Sequence, residues 1–341
     1  MKAAVFYDRE DIRYEERPIP QIGENEILLK MKICGVCGTD IHKVVDRTVP
    51  PNTVLGHEVA GEIVQVGKNV TQFEEGDRVF VAHHVPCFTC HYCNRGNYSL
   101  CTQFKATNLD PGGFSEYIRV SAVHVKHTMG KLPSAMSFET GAFVEPVACC
   151  LHGFESIALN PGDTVFIMGA GQIGCIQIQL AKYFLADRVI VSDINPFRLN
   201  KSLEFGADYI INSKNEHVRD RIMEITDGQG ADVVIISAGV NHLLTEAMEC
   251  VGKGGTILVF APFKRDLVPL RADRFFQDEI KLVGSYSSNP YNYDKALQLL
   301  KMGVVEADKM ITHRFHLSQL NEAIQCAHST KENVLKVLIK S

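Results

Sequence analysis

The sequence predicts an α/β chain built around two cores, a barrel-like β domain first and a doubly wound parallel sheet after it. Three observations carry this expectation. Residues 1–80 alternate short β-type runs with proline and glycine turns. From Thr164 onward, strand-like and amphipathic segments alternate at βαβ spacing, and a glycine-rich turn joins the first of those later strands to its helix. A chain of 341 residues can bury two cores, and an apolar share of 45% fits a globular protein.

The early β-type runs are Ala3–Tyr7, Glu26–Cys34, Glu58–Val66 and Asp77–Phe80, punctuated by Pro18, Pro20, Gly23, Pro50, Pro51, Gly67 and Gly76. A cysteine-dense loop, Cys87–Cys101, follows, and Gly112–Ile118 resumes the β pattern. Ser137–Leu159 reads as mostly helical and as the crossing into the second core. There, Thr164–Met168, Arg188–Ser192, Asp208–Ile211, Asp232–Ser237, Gly255–Phe260 and Lys281–Tyr286 have strand character. Six strands make a complete doubly wound sheet. Tyr293–Met302 and Leu317–Ser329 read as helices, and Asn333–Ile339 as a final strand or packing segment. Because the sheet is complete before residue 290, the tail is expected to return to the first domain. The expected divisions are 1–150, 151–288 and 289–341.

Between the strand Thr164–Met168 and the following helix stands Gly169-Ala170-Gly171-Gln172-Ile173-Gly174, and the next strand ends at the acidic Asp193. Each glycine has a physical task in binding a dinucleotide. Gly169 permits a tight turn, Gly171 lets a pyrophosphate approach the backbone, and Gly174 lets the helix lie close to the sheet, with the helix N-terminus facing the phosphates. Asp193 would accept hydrogen bonds from the adenosine ribose and repel a 2′-phosphate, which favours NAD over NADP. Gln172, Ile173 and Arg198 complete the candidate cofactor contacts.

The 40 acidic and 35 basic residues give a formal charge of -5 without a basic stripe, which argues against nucleic acid as a partner. Met1–Phe6 reads as a strand rather than a targeting segment, and no apolar run is long enough to cross a bilayer. A cytoplasmic protein that binds no membrane is expected. Lys264, Arg265, Arg271 and Arg274 form a mildly basic neighbourhood that could face a phosphorylated substrate or simply solvent.

Eleven cysteines without an export signal point to metal ligands and buried thiols rather than disulfides. Cys87, Cys90, Cys93 and Cys101 form C-x2-C-x2-C-x7-C, in which four thiolates from one loop can surround zinc and fill its coordination shell. Such an ion holds structure and leaves no position for substrate. An iron–sulfur cluster is the rival, but the spacing before Cys101 and the Thr102 after it depart from the ferredoxin run. Cys34, Cys149, Cys150, Cys175, Cys250 and Cys326 are expected to be small buried hydrophobes.

A second constellation comprises Cys37-Gly38-Thr39-Asp40-Ile41-His42, Gly56-His57-Glu58 and Glu145-Pro146. Thiolate, imidazole and carboxylate can hold zinc with one position left open. Spacing alone does not bring Glu145 to His57. Together with the cysteine loop and Gly169–Gly174, these motifs resemble the medium-chain, zinc-dependent alcohol dehydrogenase family over essentially the whole chain. The polyol and L-threonine dehydrogenase branches are the closest in appearance, because Glu145-Pro146 stands where animal alcohol dehydrogenases have a ligand cysteine.

The resemblance implies a GroES-like first domain, a Rossmann-type cofactor domain and a C-terminal return. It implies Cys37 and His57 as ligands of a catalytic zinc, Glu58 as a movable carboxylate on or beside that ion, and Glu145 as the third ligand or the holder of its water. Thr39 would touch the substrate oxygen and begin a proton relay, His42 would end it, and Asp40 would brace the loop. The implied reaction is hydride transfer between an alcohol or polyol and NAD. The secondary hydroxyl of a sugar alcohol, inositol-like ring or diol comes first, and a hydroxy amino acid of the L-threonine type is the alternative. Each subunit would carry one catalytic and one structural zinc, in a homotetramer or homodimer. A zinc-independent quinone reductase or a noncatalytic NAD-binding module would leave Cys37, His57 and Glu145 unexplained.

Overall fold

The computed structural model describes residues 1–329 and 333–341. The chain divides into two compact units. The first comprises Met1–Ala148, Ser288–Gly303 and Ala307–Ser341; the second comprises Cys149–Ser287 with Val304–Glu306. The first unit therefore takes most of the tail, while the three residues Val304–Glu306 group with the second.

In the first unit, the strand Ile27–Gly35 is the hub. It pairs antiparallel with Glu58–Val66, Tyr117–Val120 and Lys336–Lys340. Glu58–Val66 continues to Arg78–Val81 and on to Met129–Lys131, and Lys336–Lys340 pairs in parallel with Ile311–His316. A smaller sheet joins Lys2–Asp8 to Asp11–Glu16 and to Thr53–Val54. Ile27, Leu29, Met31, Val59, Ile63, Val79, Val81 and Ile118 form the core of this unit. Alternate positions on each strand point inward, which is how a one-sided antiparallel sheet buries its apolar face.

The register around the hub places the chemistry. Gly35 pairs with Glu58, and Cys34 with both Val59 and Ile339. The first two turns after the hub strand form the helix Gly38–Val45, with Cys37 as its N-cap residue. The catalytic-type motif thus leaves the end of one strand while His57 immediately precedes the start of its neighbour.

The second unit contains a six-stranded parallel sheet. Its order is Tyr209–Asn212, Arg188–Asp193, Thr164–Met168, Ala231–Ile236, Val251–Val259, Lys281–Gly284. That order, 3-2-1-4-5-6 in local terms, is the doubly wound dinucleotide arrangement. Every residue of Thr164–Met168 is buried, as a central strand covered on both faces requires. Helices Gln172–Tyr183, Pro196–Glu204, Val218–Ile225 and His242–Cys250 supply the crossovers.

The sequence placed these six strands, although the last ends at Gly284 rather than Tyr286. The expected helix over Leu317–Ser329 begins as a 3₁₀ turn, Leu317–Gln319, before the helix Leu320–His328. Among the described residues no helix is long and apolar enough to cross a membrane.

Candidate active site

Asp40 organises the first site from within its own helix. Its carboxylate is completely buried and accepts hydrogen bonds from the Cys37 amide at 3.1 Å and the Gly56 amide at 3.3 Å. Asp40 Oδ1 also stands 3.4 Å from His57 Nδ1. A carboxylate on one imidazole nitrogen fixes the ring's orientation, and a metal that displaces the proton from the other nitrogen would find a lone pair there. Burial works against the charges of both partners. The opposing charge nonetheless holds His57 well above the usual imidazole range and Asp40 below the usual carboxylate range, with the Cys37 sulfur adding to the effect on His57.

Cys37, His57 and Glu58 offer ligand atoms that all lie within 4.8 Å of one another, and so do His57, His83 and Glu145. Glu145 lies in the first turn of the helix Val144–Glu155 and is 8% exposed. The fold of the first unit therefore brings Glu145 to the His57 neighbourhood, the step that spacing alone left open. Thr39 Oγ1 lies 3.5 Å from His57 Nε2. His42 is further out on the same helix, its side chain 60% exposed and 3.5 Å from Asp46.

Glu58 is paired in a way the sequence did not announce. Lys336, completely buried in the C-terminal strand, forms an ion pair with Glu58 Oε2 and donates to the Val36 carbonyl at 3.2 Å. Gly35 makes room for the pair, since a Cβ there would meet Glu58 Oε2 at 1.9 Å and Lys336 at 2.8 Å.

In the cysteine loop, Cys87, Cys90, Cys93 and Cys101 also share a space of 4.8 Å. The sulfurs of Cys90 and Cys93 are 3.6 Å apart, and those of Cys87 and Cys93 are 4.0 Å apart. Zinc–sulfur bonds of about 2.3 Å in a tetrahedron put sulfurs roughly 3.8 Å apart, so the loop fits that ion. The Thr89 amide and hydroxyl lower the Cys87 thiol to about 6, whereas burial and the neighbouring thiols raise Cys93 to about 12. Outside these two centres, Cys34, Cys150, Cys175, Cys250 and Cys326 are buried and Cys149 is half-buried.

In the second unit, Gly169 has φ +112°, a conformation that favours glycine, and a Cβ on Gly174 would stand 2.0 Å from the Gly169 carbonyl. A Cβ on Gly171 would meet nothing within 4 Å. The turn is therefore closed on its inner side and open at the start of the helix Gln172–Tyr183, as a pyrophosphate cradle requires. Asp193 closes the next strand and accepts hydrogen bonds from the Ala170 and Asn195 amides, both at 2.8 Å. Gln172 and Ile173 open the helix, and Arg198 lies in the first turn of the helix Pro196–Glu204.

Two members of the basic neighbourhood, Arg271 and Arg274, are matched by nearby carboxylates. Arg271 pairs bidentately with Asp273 at 2.5 and 2.9 Å; Arg274 pairs with Asp278 at 2.7 Å and donates to the Met248 and Val251 carbonyls.

Residues 23–134 match the family description Alcohol dehydrogenase GroES-like domain, and residues 173–302 match Zinc-binding dehydrogenase. The chain belongs to the medium-chain zinc-dependent alcohol dehydrogenases. It is 34% identical to the sorbitol dehydrogenase of Bacillus subtilis (strain 168), across 99% of this chain and 97% of that protein. It is 33% identical to the D-arabitol-phosphate dehydrogenase of Enterococcus avium, across 100% and 96%. A zinc-binding dehydrogenase from Sinorhizobium meliloti 1021, solved with NADP, superposes with a TM-score of 0.90 at 29% identity, covering 100% of this chain and 99% of that one. This dehydrogenase is thus an oxidoreductase of the alcohol and polyol class, a zinc protein using a nicotinamide cofactor, with the expected GroES-like and Rossmann-type architecture.

Two residues at this site escaped the sequence reading. His83 carried a faint signal, a doubled histidine between a strand and the cysteine loop. Lys336 carried none, since a lysine in a terminal strand normally faces solvent.

Proposed function

We propose that this chain oxidises a secondary hydroxyl of a free polyol, sugar alcohol, inositol-like ring or diol with NAD, and reduces the matching ketone in reverse. The observation that carries the reading is the buried Asp40–His57 pair beside Cys37, Glu58 and Glu145, a donor set suited to a zinc with one open coordination position. Cys37 and His57 would hold the ion, with Glu145 or Glu58 completing the set. When bound, zinc supplies Lewis acidity toward an alcohol oxygen and the nicotinamide supplies the hydride acceptor.

The protein's own residues do the rest. Asp40 keeps His57 oriented, and Thr39 stands where a hydroxyl can take the substrate proton and hand it toward the exposed His42. Gly169, Gly171 and Gly174 would shape the phosphate turn, and Gln172, Ile173 and Arg198 would complete the cofactor contacts. Asp193 holds a negative charge at the ribose end, supporting NAD over NADP even though a structural relative was solved with NADP.

Arg271 and Arg274 are matched by Asp273 and Asp278, which favours the free polyol over its phosphate ester. Cys87, Cys90, Cys93 and Cys101 would carry the structural zinc. Among the described residues no strand pairs with the outer edge of Lys281–Gly284, where Leu282 is 41% exposed; this supports a homo-oligomer, dimeric or tetrameric, and a cytoplasmic setting accompanies this reading.

Initial rates with NAD and NADP across sorbitol-type polyols, their phosphate esters, vicinal diols and L-threonine test the proposal. Preferred NAD reduction on a free polyol or diol supports it. NADP preference that Asp193→Ala does not change would remove Asp193 as selector, and turnover confined to L-threonine would replace the polyol reading.

A further inference from the structure

His83 follows the strand Arg78–Val81, and its ring is held from both sides. Its centroid lies 4.5 Å from that of His57 and 3.8 Å from that of His84, while its backbone carbonyl accepts a hydrogen bond of 2.9 Å from His124 Nε2. Ser121 Oγ in turn stands 2.8 Å from His124 Nδ1. The imidazole so fixed keeps one buried nitrogen, Nδ1, that finds no hydrogen-bond partner among the described residues. A buried polar atom of this kind calls for a partner from outside the chain.

Its position selects that partner. Glu145 Oε1 lies 3.9 Å from Nδ1, too far for a direct hydrogen bond. A hydroxyl placed between them, at the usual hydrogen-bond distances of about 2.8–2.9 Å from each, spans the gap. With the ring proton on Nδ1, its oxygen accepts from the imidazole and its hydrogen goes to the carboxylate. Cys37 groups with His57 and Glu58 within 4.8 Å, and His83 groups with His57 and Glu145. The two groups meet only at His57, which sets His83 beside the Cys37 donors rather than among them. In a vicinal diol the carbon next to the reacting one carries a second hydroxyl, so two sites that meet at His57 suit adjacent oxygens.

We propose that His83 Nδ1, together with Glu145, binds the hydroxyl next to the reacting one, so that the site selects vicinal diols and polyols over simple secondary alcohols. With Glu58 completing the Cys37 set, Glu145 is left to this hydroxyl. The inference rests on the polyol and diol reading above and deepens it by naming the residue that reads the second oxygen.

The test uses the full-length enzyme with cobalt exchanged for the zinc at His57, and compares a vicinal butanediol with secondary butanol, which lacks the second hydroxyl. The wild type should favour the diol in kcat/KM with NAD. In His83→Leu that preference should shrink about tenfold, the scale of one hydrogen bond lost from a site closed to water, and His83→Asn, whose amide falls near the place of Nδ1, should recover most of it. The diol should also bind more weakly to His83→Leu when titrated against the visible cobalt bands without NAD, while the bands of the ligand-free variant match those of the wild type. His83→Ala repeats the comparison if leucine upsets folding. A wild type without diol preference, equal losses on both alcohols, or a preference that survives in His83→Leu overturns the assignment and leaves the dehydrogenase reading in place. A wild type that reduces NAD with neither these alcohols nor sorbitol overturns the proposed function and the inference with it.

Discussion

Lys336 and Glu58 form a completely enclosed ion pair between the last strand and the residue after His57, although 278 positions separate them in sequence. Removing one partner of such a pair strands the other charge away from water. Lys336→Met should destabilise the protein by about 3–5 kcal/mol in urea unfolding, and Lys336→Met with Glu58→Gln should recover much of that loss. Equal destabilisation of the single and double variants would show that the ammonium serves packing alone.

The two ends of the glycine turn should respond differently to the same methyl group. Gly174→Ala must move the Gly169 carbonyl and should cost about 1–3 kcal/mol together with NADH binding. Gly171→Ala meets open space, so its thermal midpoint should hold while NADH affinity falls in a fluorescence titration. Undiminished affinity in Gly171→Ala would mean the cofactor does not approach this backbone.

Thr39→Val should lower kcat by about 10²–10⁴-fold, the scale of a positioned proton-transfer group, and leave the NAD dissociation constant intact. His42→Ala should be milder, because water reaches its exposed position. If Thr39→Val weakens NAD binding as strongly as turnover, Thr39 does not work in proton transfer.

Glu26 and Arg119 provide a pH test of the β unit. Arg119 donates two hydrogen bonds of 2.8 Å to the Glu26 carboxylate and holds it below the usual carboxylate range against the effect of burial. A carboxyl lowered in the folded state stabilises above its unfolded value, and the benefit disappears as pH falls through the folded value. Below about pH 4, chemical stability should therefore drop less in Glu26→Gln than in wild type. The gap at neutral pH should be about 1 kcal/mol, since the Arg119 side chain is 37% exposed and solvent screens the pair. Parallel stability curves down to acid pH would contradict this.

The elements legible in the sequence are those whose cause is local. The turn Gly169–Gly174 and the loop Cys87–Cys101 carry their constraints within a few residues, and the Cys37-to-His42 motif does the same for Asp40 and its N-terminal turn. Asp11–Glu16 was not legible as a strand because DIRYEE carries four charged residues and its short apolar face is only Ile12 and Tyr14, half-buried against the core once the segment pairs with Lys2–Asp8. Thr53–Val54 is too short to show a period, and Ile311–His316 is only half-buried beside Lys336–Lys340. At the site, His83 and Lys336 become neighbours of His57 and Glu58 through sheet register, and Glu145 through the placing of the helix Val144–Glu155, neither of which a spacing rule contains.

The most direct measurement is zinc content and NADH production in Cys37→Ala against wild type, with the best polyol or diol as substrate. The wild type should hold zinc in both the cysteine loop and the Cys37–His57 centre. The variant should keep only the cysteine-loop ion, remain folded and bind NADH, yet produce no NADH from alcohol. Full turnover by a variant holding only that ion would contradict it.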